Sequence, residues 1–386
     1  MDTTNTLLQS PFAELKLHRI PRGQGNNLRA WDAADELILQ HLAEQQLPQD
    51  GNRLLIINDS FGALSCSLSN FSITHWSDSL ISQLACKENI KSNQLTADIN
   101  LLKSTSNPSG IYDLVLIKVP KTLALLEHQL ITLKDHISDN TVVIAGGMVK
   151  YLQKSYQQLF EQYLGTTTTS LAVKKARLIF SGTEKKDQAM PSPYPLQNDY
   201  QEIDLQISQH ANVFAKDKLD IGTRFMLQQY DKLPKANQLV DLGCGNGILG
   251  IMVKRQQPEC QVYFVDESFM AVDSAKDNYF NPVNLDSQQE QDKDNFLPSN
   301  CLQQTTLADI DLILCNPPFH QSNTVGDQIA WQMFKQSHKA LKQGGKLWIV
   351  GNRHLSYHVK LKRLFGNCRT IASNKKFVIL EAIHDS

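Results

Sequence analysis

The sequence predicts an α/β protein built from two tandem, doubly wound domains, the first a degenerate copy of the second. Three observations predict it. Short apolar runs alternate with helix-patterned segments in both halves, as strands and crossover helices do in a parallel sheet. Landmarks recur in the same order in the two halves. A polar, proline-bearing stretch separates them. The length of 386 residues fits two or three domains at roughly 100–200 residues each.

The elements follow in chain order. Arg53 to Asp59 reads as an apolar strand entering the turn Ser60-Phe61-Gly62-Ala63. Ile73-Thr74-His75-Trp76 leads to Asp78 and a helical pattern running to Asn89. Asp113 precedes the strand Leu114-Val115-Leu116-Ile117-Lys118, and Ala172 to Phe180 closes the first half. Residues 181–200 read as a linker, since Ser181 to Asn198 holds three prolines, several charges and few large apolar side chains.

The predicted domains are therefore 1–180 and 201–386. In the second, Gln238-Leu239-Val240-Asp241 is a strand leading into a glycine-rich turn, with a helix from Gly247-Ile248 to Arg255. Val262 to Val265 is the next strand, ending at Asp266-Glu267, and Ser268 to Tyr279 is helical. The polar stretch 284–295 reads as a surface loop. Asp311 to Cys315 is a strand, Asp327 to Leu341 a helix stopping at Gly344-Gly345, and Lys346 to Val350 and Phe377 to Ala382 are the last strands.

The repeat rests on matched landmarks. Asp78–Asn89 spans 11 positions and Asp266–Asn278 spans 12. Asp113 to Ala172 spans 59, and Asp311 to Ala372 spans 61. Equal order at near-equal spacing points to an internal duplication. The halves differ where chemistry would occur. Asp59-Ser60-Phe61-Gly62 has one glycine where Asp241 to Gly247 has three, and Lys118-Val119-Pro120-Lys121 stands in place of Asn316-Pro317-Pro318-Phe319. A side chain in place of glycine blocks close backbone approach to a ligand, so the first copy is expected to be catalytically dead.

Composition narrows the classes. Lys plus Arg is 38 and Asp plus Glu is 39, so bulk charge gives nucleic-acid binding no support and any basic footprint must be local. Seven cysteines, none in C-x-x-C spacing, argue against a disulfide framework or structural zinc and for a reducing compartment. The N-terminus lacks a signal pattern and no run of about 18 apolar residues occurs, so a soluble, cytoplasmic protein is expected.

Two motifs carry chemistry. Gly243, Gly245 and Gly247 let the backbone turn sharply and pass close to a cofactor. Dinucleotide sites use similar glycines, but their third glycine falls three residues after the second; here the interval is two, which favours S-adenosyl-L-methionine over NAD. Asp241 is placed to face the cofactor's amino-acid end, and Asp266, followed by Glu267, to accept from ribose hydroxyls. A turn residue and a helix N-cap are the structural alternatives.

Asn316-Pro317-Pro318-Phe319 follows an apolar strand. An exocyclic amino group is a poor nucleophile because its lone pair is delocalised. The Asn316 side-chain carbonyl and the Pro317 backbone carbonyl can accept its N–H bonds, Pro317 and Pro318 stiffen the loop, and Phe319 offers a stacking face. This predicts methyl transfer to a planar nitrogen with no metal and no covalent nucleophile. His320 is a possible proton shuttle and more often a loop residue. Cys244, Cys301 and Cys315 read as packing residues rather than nucleophiles. Phe214 could shield the cofactor, within a segment that continues through Leu219-Asp220-Ile221-Gly222; Asp220 and Gly222 are further cofactor candidates, and the same segment could simply start a helix.

These residues resemble the class I S-adenosylmethionine methyltransferases with an Asn-Pro-Pro-aromatic motif, which have a Rossmann-like fold. Within that class the chain resembles the 23S ribosomal RNA guanine-N2 methyltransferase family over nearly its whole length. The segments Ala30-Trp31-Asp32-Ala33-Ala34-Asp35-Glu36 and Leu116 to Glu127 carry the family likeness, with Asp241 to Gly247, Phe264 to Ser268 and Cys315 to His320.

The resemblance implies methylation of N2 of one guanine in 23S rRNA, a degenerate N-terminal domain that helps engage RNA, and Asn300 at the adenine end of the cofactor. Lys174, Lys175 and Arg177 in the first half, and Lys375 and Lys376 with Lys360, Lys362, Arg363 and Arg369 in the second, are the RNA-contact candidates, or merely solvated faces. The guanine would have to be single-stranded or flipped to reach Asn316. No membrane and no obligate protein partner is implied. The alternatives are N2-guanine methylation of 16S rRNA, N-methylation of DNA adenine or a protein glutamine, and an inactive RNA-binding protein.

Overall fold

The structure is a computed structural model, and it describes residues 6–21, 28–213, 218–285, 295–318 and 324–385, with the side chains of 324–326 left aside. Phe214, Phe319, His320 and most of the polar 284–295 stretch lie outside these residues. The chain forms two compact units, Met1–Tyr194 and Pro195–Ser386.

In the first unit, β1 (Leu7–Gln9) and β2 (Glu14–Lys16) form a hairpin. Then come α1 (Ala33–Glu44), β3 (Arg53–Ile57), α2 (Ala63–Ser67), β4 (Ser72–Ser77), α3 (Leu80–Ser92), β5 (Ile99–Lys103), β6 (Leu114–Lys118), α4 (Leu123–Leu133), β7 (Val142–Met148), α5 (Lys154–Tyr163), β8 (Thr167–Thr169) and β9 (Ala176–Ser181). The second unit opens on another hairpin, β10 (Leu196–Tyr200) and β11 (Leu205–Gln209). It continues with α6 (Ile221–Leu227), β12 (Gln238–Leu242), α7 (Ile248–Gln256), β13 (Gln261–Asp266), α8 (Phe269–Tyr279), β14 (Phe296–Pro298), β15 (Ile310–Cys315), α9 (Thr324–Ala340), β16 (Leu341–Asn352), α10 (Tyr357–Phe365), β17 (Arg369–Ser373) and β18 (Phe377–Ile383).

Each unit holds a seven-stranded sheet among the described residues, in the orders β5-β4-β3-β6-β7-β9-β8 and β14-β13-β12-β15-β16-β18-β17. These are one order written twice. In both sheets the last two pairings are antiparallel and the others parallel. Strands such as Leu54-Leu55-Ile56-Ile57 and Leu312-Ile313-Leu314-Cys315 are buried along their length, because helices cover both faces of a parallel sheet. Their alternate side chains feed separate cores on the two faces, Leu312 and Leu314 on one side and Ile313 and Cys315 on the other.

Side-chain hydrogen bonds repeat as well. The Asn89 amide pairs with the backbone of His18 and reaches Phe61 O; Asn278 pairs with Ser208 and reaches Asn246 O. Asn93 clamps Lys16 as Asn284 clamps Gln206. Each hairpin is thus held by two buried or half-buried amides, one on the helix behind the first turn of its sheet and one just past that helix.

The pairing corrects one landmark. Trp76 and Val265 accept from the first residue of equivalent turns, Asn58 and Gly243. Counted from there, Ser77 matches Asp266 and Asp78 matches Glu267, and the two separations to the matched asparagines become equal. Two other expectations shift. Leu196–Tyr200, read as linker, is a hairpin strand; its alternation is polar, and only Tyr200 of the five is buried. The helix before Gly344-Gly345 ends at Ala340, and β16 begins at Leu341. The glycines form an irregularity inside that strand, where a Cβ on Gly345 would lie 2.7 Å from Ile310 O. Among the described residues no helix is long and apolar enough to cross a membrane.

Candidate active site

The second unit's chain runs outward from β12 through β13 to β14, then returns to β12's other side with β15. This reversal makes the carboxyl ends of β12 and β15 the place where open α/β sheets hold ligands. Leu242 pairs with Cys315, so Gly243 and Asn316, the residues that follow, leave adjacent strands at the same level. Both sequence motifs meet at this crevice.

The turn after β12 needs its glycines. Gly243, Gly245 and Gly247 have φ of 75°, 54° and 83°, a region costly for side chains. Gly247 also packs tightly: a Cβ would lie 2.9 Å from Ala275 Cβ. At Gly245 a Cβ would meet nothing within 4 Å, so open space borders the turn there. The Gly245 N–H donates to Asp266 Oδ2 at 3.1 Å, and Ser268 N–H donates to Oδ1 at 3.1 Å, which orients the acid at the end of β13 beside the turn. Glu267 follows it, half-buried.

Asp241 lies beneath the turn. It is 1% exposed and accepts the Gly250 N–H of α7 at 2.9 Å. Burial pushes its carboxyl up to about 7; the Gly250 bond works against this and the nearby Asp266 adds to it. Burial likewise raises the Cys244 and Cys315 thiols well above their usual range, so neither is a thiolate near neutral pH. Asn300, just past β14, is buried with both ends of its amide engaged, Nδ2 donating to Gln303 and Oδ1 accepting from Gln332, each at 3.1 Å.

The Asn316 amide is the centre of the second motif. Its Nδ2 donates to Asp220 Oδ2 at 3.0 Å and to Thr223 Oγ1 at 3.1 Å. The Oδ1 atom is buried and has no hydrogen-bond partner among the described residues. Asp220 caps α6, accepting the Thr223 N–H at 2.8 Å, and Gly222 is buried within that helix. Pro317 is buried and Pro318 exposed. Sequence reasoning missed Thr223, although its place three residues after an N-cap aspartate is a visible signal. The open space at Gly245 and the unpartnered Oδ1 fit a crevice that takes a cofactor and a polar acceptor group.

The same corner in the first unit is closed. Ile57 pairs with Ile117, so Asn58 and Lys118 stand where Gly243 and Asn316 stand. Asn58 holds the left-handed turn at φ 62°, and its amide exchanges two bonds with Gln129 and donates to Lys118 O. Lys118 Nζ bonds to Asp32 at 2.7 Å and Asp35 at 2.8 Å, the N-cap and third residue of α1.

Of the basic candidates, Lys174 and Lys175 are exposed in the turn before β9, Lys174 pairs with Glu36, and Arg177 is half-buried in β9. Lys375 and Lys376 are exposed in the turn before β18. Lys175 O accepts from Val149 N–H as Lys376 O accepts from Arg353 N–H, so the two Lys-Lys pairs are equivalent and each lies at the carboxyl edge of its sheet.

A doubly wound sheet with a glycine turn and an Asn-Pro-Pro corner at its switch point defines the second unit as a methyltransferase domain. Family models match accordingly: the RLMG N-terminal domain over residues 5–185 and the methyltransferase small domain over residues 204–381. Proteins named ribosomal RNA large subunit methyltransferase G are similar along the whole chain. The one from Stutzerimonas stutzeri is 45% identical, covering 98% of this chain and 99% of its own. That from Erwinia tasmaniensis is 47% identical, covering 96% of each. The chain belongs to the ribosomal RNA large subunit methyltransferase G family. Its fold also matches the solved structure of a T. thermophilus 16S rRNA N2 G1207 methyltransferase in complex with AdoMet and guanosine, with a TM-score of 0.74 at 20% identity over 98% of this chain and 97% of that one.

Proposed function

We propose that this protein transfers a methyl group from S-adenosylmethionine to the exocyclic N2 of a guanine in 23S rRNA, in the cytoplasm. The observation that carries the reading is the Asn316 amide: its N–H side is occupied, its Oδ1 is buried without a partner among the described residues, and it stands one strand away from an open glycine turn. The names of the relatives favour the large-subunit RNA as substrate over the small-subunit one.

The cofactor supplies an electrophilic methyl group. Gly243, Gly245 and Gly247 give it room along the backbone, and Asp241, Asp266, Glu267 and Asn300 line its place at the ends of β12, β13 and β14. Asn316 Oδ1 accepts one N–H of the guanine amino group and the Pro317 carbonyl the other, fixing N2 with its lone pair toward the methyl group. Pro318 stiffens this corner. N2 would gain the methyl group as the sulfur–methyl bond breaks and a neutral thioether leaves, and it would release one proton to water. The first unit, Met1–Tyr194, serves RNA recognition and the second, Pro195–Ser386, catalysis.

Labelled S-adenosylmethionine offered with deproteinised 23S rRNA, 16S rRNA, DNA or bulk protein tests the reading. Label is expected in 23S rRNA, recovered as N2-methylguanosine after digestion. Label in 16S rRNA, DNA or protein but not in 23S rRNA overturns it. The exposed Lys375 and Lys376, on the catalytic edge, contact RNA phosphates. Reversing both charges is expected to lower the slope of log affinity against log salt by about one per lost contact; an unchanged slope removes them from the footprint.

Asp241 makes the cofactor's binding pH-dependent. Its carboxyl, near 7 in the cofactor-free protein, is protonated in mild acid, and a neighbouring ammonium favours the ionised form. Binding therefore releases a proton below pH 7, and affinity rises as the pH approaches 7 from the acid side, by at most about tenfold per unit. Titration calorimetry of wild type and Asp241→Asn measures this. A flat wild-type profile would confine Asp241 to holding α7.

A further inference from the structure

We infer that Asp220 and Thr223 are positioning residues for Asn316: they fix its amide so that Oδ1, and not Nδ2, faces the acceptor nitrogen. The inference rests on the proposed reaction and assigns Asp220 a part distinct from cofactor binding.

An asparagine amide presents an acceptor from one end and donors from the other, and the two orientations are nearly the same shape. Only one serves an amino-group substrate, because Nδ2 would set N–H against N–H. Asp220 breaks this symmetry. As a carboxylate it accepts only, and its Oδ2 lies 3.0 Å from the Asn316 amide, so Nδ2 must face it. Thr223 Oγ1 takes the second N–H at 3.1 Å. Both amide hydrogens are then committed, and Oδ1 is left buried without a partner among the described residues. Leaving a buried acceptor unsatisfied is costly, and a substrate N–H would recover that cost.

Asp220 and Thr223 are themselves held together. The Thr223 N–H donates to Asp220 Oδ2 at 2.8 Å in the first turn of α6. One helical turn therefore sets both contacts to the asparagine.

The first unit shows that this contact belongs to the architecture. There the residue at the corresponding place, Lys118 at the end of β6, reaches Asp32 and Asp35, again an N-cap and the residue three positions on. Both copies bring the side chain at the strand end onto the same helical turn. In the first copy the partners hold an ammonium as an ion pair. In the second they take one side of a neutral amide, and no described residue takes the other.

Two substitutions test this without removing the helix cap. Asp220→Asn keeps a capping side chain but ends the obligatory acceptance. Thr223→Val keeps the shape and removes the hydroxyl. Turnover with saturating RNA is expected to fall by roughly 10–100-fold for Asp220→Asn and about tenfold for Thr223→Val. The Kd for S-adenosylmethionine and the KM for RNA should stay within about twofold. Thr223→Ser recovers most of what Thr223→Val loses, and neither Asp220→Asn nor Thr223→Val lowers turnover further in an Asn316→Ala background.

Weakened cofactor binding at unchanged turnover overturns the inference by making Asp220 a cofactor ligand. So does unchanged turnover, or an undiminished second loss on Asn316→Ala. If wild type instead labels another planar nitrogen, the guanine reading fails alone, because the positioning is measured on whichever acceptor takes the label.

Discussion

Asn316→Ala is expected to slow methyl transfer by roughly 100–1,000-fold while S-adenosylmethionine binds within about twofold of wild type. The size follows from what the amide does. Guanine N2 shares its lone pair with the ring, and transfer requires that pair to turn toward the methyl group as the nitrogen becomes tetrahedral. Oδ1 is buried, so its bond to the departing N–H strengthens in a medium that screens poorly. Preorganisation by Asp220 and Thr223 means that no reorientation is needed as charge develops. The glycine turn follows the neighbouring strand and supplies none of these hydrogen bonds, so cofactor binding is spared. Asn316→Asp should fail as completely, because a second carboxylate beside Asp220 either repels it or binds a proton between them. Single-turnover transfer and equilibrium binding separate the two effects. Equal losses in both would place Asn316 in the cofactor site.

The sequence made the glycine turn and the Asn-Pro-Pro corner legible because glycine and proline constrain the backbone directly. Gly243 and Gly247 mark φ angles that few other residues adopt, and the apolar runs before Asp241 and Asn316 mark buried strands. The duplication was legible for the same reason. Partners distant in the chain were not. Nothing local ties Thr223 to Asn316, 93 positions away, or Asn278 to Ser208, 70 away; these are set by which helix packs against which strand end. The hairpin of β10 and β11 escaped because its partly solvated strands carry Gln, Asn and Asp where strand patterns carry branched apolar residues. The one-residue misplacement of Asp78 against Asp266 arose because both are acids near a strand end, and only pairing resolves which of two neighbours aligns.

Lys118→Ala is expected to destabilise the first unit by roughly 3–5 kcal/mol while leaving cofactor binding in the second unchanged. Lys118 is nearly buried, its side chain 10% exposed, and Asp35 is 7% exposed. Burial pulls the ammonium down, but Asp35 and Asp32 outweigh it and hold it above its ordinary value. Burial also pushes Asp35 up to about 6 despite the lysine. Each charge therefore depends on the others, and deleting the lysine strands a buried carboxyl. Asp32 is half exposed, so water relieves part of the cost.

A second variant separates lost charge pairing from lost packing. Lys118→Asn combined with Asp35→Thr rebuilds the set found around Asn316 in the other copy, an N-cap aspartate, a threonine and an amide. It is expected to recover part of the stability, since an amide held by a carboxylate and a hydroxyl replaces an ion pair whose burial was itself costly, while the amide oxygen is left to find a partner of its own. Denaturant unfolding of the full chain, with hydrogen exchange at the α1 and β6 amides reporting on the first unit, measures both. Equal destabilisation by the single and double variants would mean that Lys118 matters for its length and packing alone. Recovery would mean that the first copy kept the architecture of the second copy's corner and changed only what the strand-end side chain offers.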